Sequence, residues 1–318
     1  MPPPRLRIAT RRSPLARWQA EHVARELRAR EPTLEVGLLE VTTRGDRILE
    51  VPLSQVGGKG LFVKEIEDAL LRGEVEVAVH SMKDLPAQLA PGLTIGAVPE
   101  REDPRDALCA PRHGALSALP RGARVGTSSL RRGAQLRALR PDLVIEVVRG
   151  NVETRLRRAS ADLDAVVLAS AGLRRLGLGG GATYLFPVEE LLPAVAQGAL
   201  AVEARADDQA TLARLRALEH EETRVAVEAE RGFLARIEGG CQVPIAGHAR
   251  LEGGKVWLRA LVASVDGAQV VRGERRGPAE RARELGVALA EELLGRGAEQ
   301  ILREAEGQGL PLSAPRGG

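Results

Sequence analysis

Aromatic residues are scarce: Phe62, Phe186, Phe233, Trp18, Trp257 and Tyr184 are all there are, 2% of 318 residues. Proteins that hold single-stranded nucleic acid stack its bases on such rings, so that class starts with little support. Cysteine is scarcer still. Cys109 and Cys241 alone cannot build a disulfide framework or a Cys-rich zinc site, and no metal centre is expected. A reducing, cytoplasmic setting is the default expectation. No apolar run approaches the roughly 18–20 residues that span a bilayer, which excludes an integral helical membrane protein. The opening MPPPRLRIATR has charge but no apolar core, so a secretory leader is not expected. Lysine is nearly absent: of 46 basic residues only Lys59, Lys64, Lys83 and Lys255 are lysine, and 42 are arginine. An isolated arginine here is background, whereas three lysines within 59–83 stand out. The net charge of +3 is far from that of a dedicated polyanion binder.

At roughly 100–200 residues per domain, the length suggests two or three domains. Composition is that of an ordinary globular chain, 44% hydrophobic and 28% charged. Residues 6–11, 34–43, 75–82 and 93–99 read as strands, with helical patterns over 15–30 and 61–73. Strands alternating with helices imply a mainly parallel α/β sheet. PEREDPRD (99–106) is charged and proline-bearing, as linkers are, and the pattern then restarts. Strands are expected at 123–129, 143–150 and 164–170, with helices at 129–139 and 152–161. The run Arg7-Ile8-Ala9-Thr10 leading to a helix is echoed by Arg124-Val125-Gly126-Thr127, which suggests two similar α/β domains. LPAVAQGALAVEARADD (192–208) has the content of a strand crossing back to the first domain, giving two interdomain strands and a hinge. Helix is expected over 209–237. Beyond Val243, Gly253-Gly254 and Asp266-Gly267 mark hairpin turns, and 278–305 a closing helix. The expected division is 1–99 with 196–217, then 100–195, then an α+β domain over 218–318.

In open α/β sheets ligands bind beyond the carboxyl ends of the strands. Arg11-Arg12-Ser13 follows the first strand. Ser128-Ser129 follows another, with Arg131-Arg132 one turn into the helix. Arg149-Gly150-Asn151 follows a third, with Arg155 one turn on. Free N–H groups at helix starts favour anions, and forked guanidiniums grip carboxylates or phosphates. The repeated placement predicts a cleft for a substrate with several such groups. VGGKGLF (56–62) reads either as a plain helix entry or as a mobile loop bringing Lys59 over the cleft. It lacks P-loop spacing. In HSMKDLP (80–86) an acid, Asp84, follows a strand directly, as a general base or cation stabiliser or as a turn cap. His80, inside an apolar strand, reads as a hydrogen-bonded core residue, and Phe62 as packing. Cys109 lies in apolar DALCA. Cys241, in the Gly-rich EGGCQVPI (238–245), is a candidate nucleophile or attachment point.

Eight segments together resemble the hydroxymethylbilane synthase, or porphobilinogen deaminase, family. They are IATRRSPLA (8–16), VTTRGD (41–46), VGGKGLFVKE (56–65), HSMKDLP (80–86), REDPRDA (101–107), VGTSSLRR (125–132), RGNVETRL (149–156) and EGGCQVPI (238–245). They come in the family's order and spacing. The resemblance implies two periplasmic-binding-protein-like α/β domains joined by a two-strand hinge, plus a small C-terminal α+β domain. It implies condensation of four porphobilinogen molecules with loss of ammonia, followed by hydrolytic release of a linear tetrapyrrole. A dipyrromethane cofactor would be attached by a thioether to Cys241. Asp84 would be the catalytic acid, with Lys83. Ser81, Lys83, Asp84, Thr127, Ser128, Ser129, Arg131 and Arg132 would hold the cofactor. Arg11, Ser13, Lys59, Arg149, Arg155 and Arg175 would serve the substrate. One departure is visible: Ala196, in LPAVAQGAL, stands where the family usually has glycine.

A hinged small-anion-binding or sensor protein is the alternative reading, because fold alone does not choose between binder and enzyme. Cys241 discriminates, since a binder needs no covalent cofactor. A nucleic-acid binder is the second alternative, against which low net charge and few aromatics both count. The expected partner is a small molecule, with no nucleic acid and no membrane, acting on a monomer.

Overall fold

Alternation of side chains sets the first strand. In β1 (Arg5–Arg11) Leu6, Ile8 and Thr10 are buried while Arg5 and Arg7 are exposed. Ser13 then caps α1 (Pro14–Arg30): its Oγ accepts from the Ala16 amide, and Pro14 presets the first helical φ. α1 lays Ala20, Val23, Ala24 and Leu27 over Leu6 and Ile8. β2 (Glu35–Val41), α2 (Lys64–Leu71), β3 (Val77–Ser81) and β4 (Leu93–Ala97) follow. Next come β5 (Asp106–Cys109), β6 (Arg124–Gly126), α3 (Leu130–Leu139), β7 (Val144–Glu146), α4 (Val152–Ala161), β8 (Ala165–Ala169), α5 (Ser170–Arg175) and β9 (Tyr184–Leu185). The chain continues through β10 (Leu200–Arg205), α6 (Gln209–Leu215) and α7 (Glu221–Ile237). It closes with β11 (Ile245–Glu252), β12 (Lys255–Ala263), β13 (Val270–Pro278), α8 (Ala282–Leu293) and α9 (Glu299–Gly307). This computed structural model describes residues 5–43, 63–237 and 243–307.

Contacts gather these elements into two units. One holds the described residues up to 102 together with 197–224, and the other holds 103–196 together with those from 225 onward. The first unit has a five-stranded sheet in the order β2-β1-β3-β10-β4. β1 is parallel to β2 and β3, and β10 runs antiparallel between β3 and β4. The second unit has β7-β6-β8-β5-β9, with β6 parallel to β7 and β8, and β5 antiparallel between β8 and β9. The two sheets thus share one topology. In each, the fourth place is taken by the strand that follows a passage of the chain between units. The short echo between residues 7–10 and 124–127 is therefore one point of a whole-sheet repeat.

Some local expectations need correction. The strand expected over 143–150 is confined to Val144–Glu146, and that over 192–208 to Leu200–Arg205. The residues before β10 turn instead, and Ala196 adopts a φ of 59°, the conformation that glycine at this position would take without strain. β5 was hidden at the end of a charged linker, and β9 is only two residues long.

The third sheet, β11-β12-β13, is an antiparallel meander whose turns fall at Gly253-Gly254 and Asp266-Gly267. Val256, Leu258, Ala260 and Val262 bury against Phe233 of α7 and Leu289, Ala290 and Leu293 of α8. α7 and α8 approach closely at Gly286, where a Cβ would lie 2.0 Å from the Ala229 carbonyl oxygen. The closing helix is split at Gly297, with φ 108°. Within the second unit this sheet docks on the α/β layer through Ala246, Leu261 and Ala263 against Ala134 and Leu192.

Candidate active site

In the first unit β3 ends at Ser81 and turns at once through one 3-10 turn, Met82–Asp84. Buried Met82 anchors that turn, and its amide donates to the Ala199 carbonyl at 3.0 Å. Lys83 and Asp84 are left exposed. Lys83 Nζ lies 3.4 Å from Gln197 Oε1. Ser81 Oγ sits 2.9 Å from Gln19 Nε2 of α1. β1 is the parallel neighbour of β3, so Arg11 and Ser13 leave the sheet at the same end as Ser81, Lys83 and Asp84. Ser13, proposed to touch substrate, also caps α1.

The second unit repeats the arrangement on three adjacent parallel strand ends. Beyond β6, buried Thr127 accepts from the Ser129 amide through Oγ1 at 3.2 Å, and Ser129 caps α3. Beyond β7, Asn151 caps α4 by accepting from the Thr154 amide at 2.8 Å, and Arg155 Nε donates to the Gly150 carbonyl at 2.9 Å. Arg149 precedes that turn, half-buried. Beyond β8, α5 carries Arg175, buried. Hydroxyl, amide and guanidinium donors thus gather at one end of this sheet.

Arg131 and Arg132 are not surface groups. Both are buried and converge on the fully buried carboxylate of Asp106 in β5. Arg131 Nη1 is 2.7 Å from Asp106 Oδ2, and Arg132 Nη2 is 2.8 Å from Oδ1. Arg131 Nη1 also donates to the Leu192 carbonyl at 2.7 Å, and Arg132 Nη1 to that of Val167 at 3.1 Å. Burial by itself raises the Asp106 carboxyl, but the two guanidiniums outweigh it and hold it far below the usual carboxylate range. Burial in turn lowers Arg131, partly offset by Asp106. The three side chains sum to one positive charge. Asp106 lies both in REDPRDA (101–107) and at the start of the apolar DALCA, and neither setting marks it as the partner of Arg131 and Arg132. Gln197 was missed likewise.

Cys241 and Lys59 lie outside the described residues. Cys109 is buried in β5, and burial pushes its thiol up to about 12, so it is chemically inert. His80 is a core residue as expected, its Nε2 3.0 Å from Glu203 Oε2. Among the described residues no group of three or more His, Cys, Asp or Glu side chains is arranged to hold a metal ion, and no helix is long and apolar enough to cross a membrane.

Residues 6–213 match the family model for porphobilinogen deaminase, dipyromethane cofactor binding domain, and residues 225–295 match the porphobilinogen deaminase C-terminal domain. The chain belongs to the porphobilinogen deaminase family. Porphobilinogen deaminase is the transferase hydroxymethylbilane synthase. It joins four porphobilinogen molecules into a linear tetrapyrrole with release of ammonia, on a dipyrromethane cofactor. The side chains present fit such a group. A dipyrromethane bears acetate and propionate carboxylates, and the described strand ends offer cations and hydroxyls, with Asp106 already committed to two arginines. Solved structures of similar layering include a putative lipoprotein from Ruminococcus gnavus ATCC 29149, 9% identical, TM-score 0.41, covering 67% of this chain and 90% of that one. Protein PG110 from Staphylococcus aureus is 13% identical, TM-score 0.42, covering 72% and 91%. The alkanesulfonate-binding protein SsuA from Xanthomonas axonopodis pv. citri is 15% identical, TM-score 0.34, covering 75% and 76%. Likeness of this depth says nothing of the ligand of this chain.

Proposed function

We propose that this porphobilinogen deaminase carries its dipyrromethane on Cys241 and works through Asp84, with Lys83 beside it. Ser81, Lys83, Asp84, Thr127, Ser128, Ser129, Arg131 and Arg132 are assigned to the cofactor. Arg11, Ser13, Lys59, Arg149, Arg155 and Arg175 are assigned to substrate. The observation that carries this reading is the placement of anion-binding donors at adjacent parallel strand ends in both units, with one exposed acid, Asp84, at the end of β3. We assign three domains, 1–99 with 196–217, 100–195 and 218–318, and a cytoplasmic monomer that needs neither nucleic acid nor membrane.

The division of labour follows from charge. Each porphobilinogen brings two carboxylates, so a growing chain accumulates negative charge that only several guanidiniums can balance. When the aminomethyl carbon of the substrate loses ammonia, the C–N bond breaks with its electron pair on nitrogen, and positive charge spreads onto the pyrrole. Asp84 stabilises that charge and, once the free pyrrole carbon at the chain end has bonded to the cationic methylene carbon, takes up the proton which that carbon sheds as its ring rearomatises. Bound through Cys241, the dipyrromethane supplies the electron-rich pyrrole carbon that starts the chain. Arg131 and Arg132, locked in place by Asp106, suit a group that never leaves.

Intact-protein mass tests the reading. The purified enzyme is expected to exceed its 34.0 kDa sequence mass by one dipyrromethane. Cys241→Ser is expected to lose both the added mass and the activity. Active protein of unmodified mass would overturn the assignment.

A further inference from the structure

Three ionisable side chains of the first unit are grouped on one side of its sheet, and the reaction described above uses none of them. His80 lies on β3, Glu203 on β10 and Glu67 on α2. In the antiparallel pairing, Ala78 stands opposite Glu203 and His80 opposite Ala201, so His80 and Glu203 project from the same face of the sheet. α2 covers that face: Ile66, Ala69 and Leu70 pack there with Ala9 and Ala78. His80 Nε2 lies 3.0 Å from Glu203 Oε2, with side chains only 5% and 0% exposed. Among the described residues, the other oxygen of Glu203, Oε1, is buried and finds no hydrogen-bond partner, and the same holds for Oε1 of Glu67.

Buried polar atoms are almost always satisfied, and one proton held between two such carboxyl oxygens would satisfy both. We propose that Glu67 and Glu203 share one proton, with His80 on the far side of Glu203, and that this chain of hydrogen bonds positions α2 against the strand that ends in Ser81, Lys83 and Asp84. His80, Glu203 and Glu67 are then positioning residues, one from each of three elements. Burial first, and the charge of Glu203 second, push the Glu67 carboxyl up, against the opposing pull of the Ala90 backbone hydrogen bond and of His80. α2 also brings Glu65 and Asp68 to this region, the latter 3.6 Å from Lys64. β1 brings Arg11 to the same face. β10 adds Arg205, whose guanidinium is engaged by the carbonyls of Leu70 and Val75 and by Asp208. β4 adds no ionisable group.

The sign of the pH dependence follows. The folded value of Glu67 lies above its unfolded one. Its contribution to stability is therefore complete below the unfolded value and is lost as pH rises through the folded one. Loss of the proton would leave two carboxylates on the same covered face of the sheet.

The test compares the full-length holoenzyme with Glu67→Gln, whose amide presents N–H permanently, and with Glu67→Leu, which presents none. Only the kinetic half rests on the proposed role of Asp84, and ammonia release by the unsubstituted holoenzyme is the control for that role. In wild type at about neutral pH, difference infrared spectroscopy is expected to show a protonated carboxyl band that Glu67→Gln removes. The urea midpoint of wild type is expected to fall as pH rises above the ordinary carboxylate range, and that of Glu67→Gln to stay flatter. Glu67→Gln is expected to keep kcat within about twofold, and Glu67→Leu to lower it roughly 10–100-fold at little change in KM. Absence of the band in wild type, or Gln and Leu variants that behave alike in stability and kcat, would overturn the proposal.

Discussion

Asp106 gives one carboxylate to two guanidiniums, and this asymmetry governs what its removal does. With a side chain fully buried and two cations at 2.7 and 2.8 Å, the carboxyl stays ionised in the folded state well below the ordinary range. A group with a depressed folded value contributes stability above its unfolded value of about 3.9, and that contribution is lost as pH falls through the folded one. Asp106→Asn leaves Arg131 and Arg132 buried without their counterion. It is expected to cost roughly 3–5 kcal/mol of unfolding free energy at neutral pH. Measured by urea titration over descending pH, the gap from wild type should narrow below about pH 4, as wild type loses the same contribution by protonation. A gap independent of pH would mean that the pairing is not ionic. Cys109, in the same strand β5, is held up chiefly by burial, against a smaller opposing pull from Arg132.

The helices that follow β6 and β7 both begin on a side-chain cap, Ser129 for α3 and Asn151 for α4. α4 has ten residues and only Ala159 buried, so it draws little support from packing and depends on its cap. Asn151→Ala is expected to cost about 1 kcal/mol, read as faster amide exchange over 152–158 with the rest of the second unit unchanged. Uniform exchange across that unit would count against a local role. The strand-to-helix turns were legible in the sequence because their residues stand within a few positions of one another, as a cap and its amide do. Longer reach was not. Arg132 meets Asp106 across 26 residues, and no periodicity announces that pairing. β5 and β9 were missed because four and two residues are too few for alternation to declare itself. The chain's return through 192–199 read as strand from its apolar content. Backbone geometry at Ala196, not hydrophobicity, decided otherwise. Its amide is held there by Glu230 Oε2 at 2.5 Å, while Glu230 Oε1 accepts from the Ala249 amide at 2.7 Å. One buried carboxylate thus ties the turn before β10 to β11.

At the scale of the whole molecule, the domain bearing the proposed attachment cysteine has to be held against the α/β layer that bears the proposed anion site. Asp266-Gly267 was legible only as a hairpin turn, and it is also where these two layers touch. Gly267 has φ 75°, and a Cβ there would lie 2.3 Å from the Ala134 carbonyl oxygen and 3.0 Å from the Ala138 nitrogen, both in α3. Arg137 of α3 answers by donating to the Val265 carbonyl at 3.1 Å. α3 is the helix that starts at Ser129 and carries Arg131 and Arg132, so the turn packs on the same helix that is proposed to hold the cofactor. Gly267→Val would combine a left-handed backbone with a backbone clash, together roughly 2–5 kcal/mol against the docked state. The hairpin itself can relax by swinging away, so the strands should survive while the contact is lost. Amide exchange is expected to rise in 134–138 and 264–268, with the β12–β13 ladder still protected. Apoenzyme incubated with porphobilinogen should then gain its dipyrromethane mass more slowly, because Cys241 is no longer carried on a layer fixed to α3. Unchanged exchange in α3 would show that the turn does not hold the layers together. Normal cofactor loading despite raised exchange would show that docking is not needed for assembly of the site.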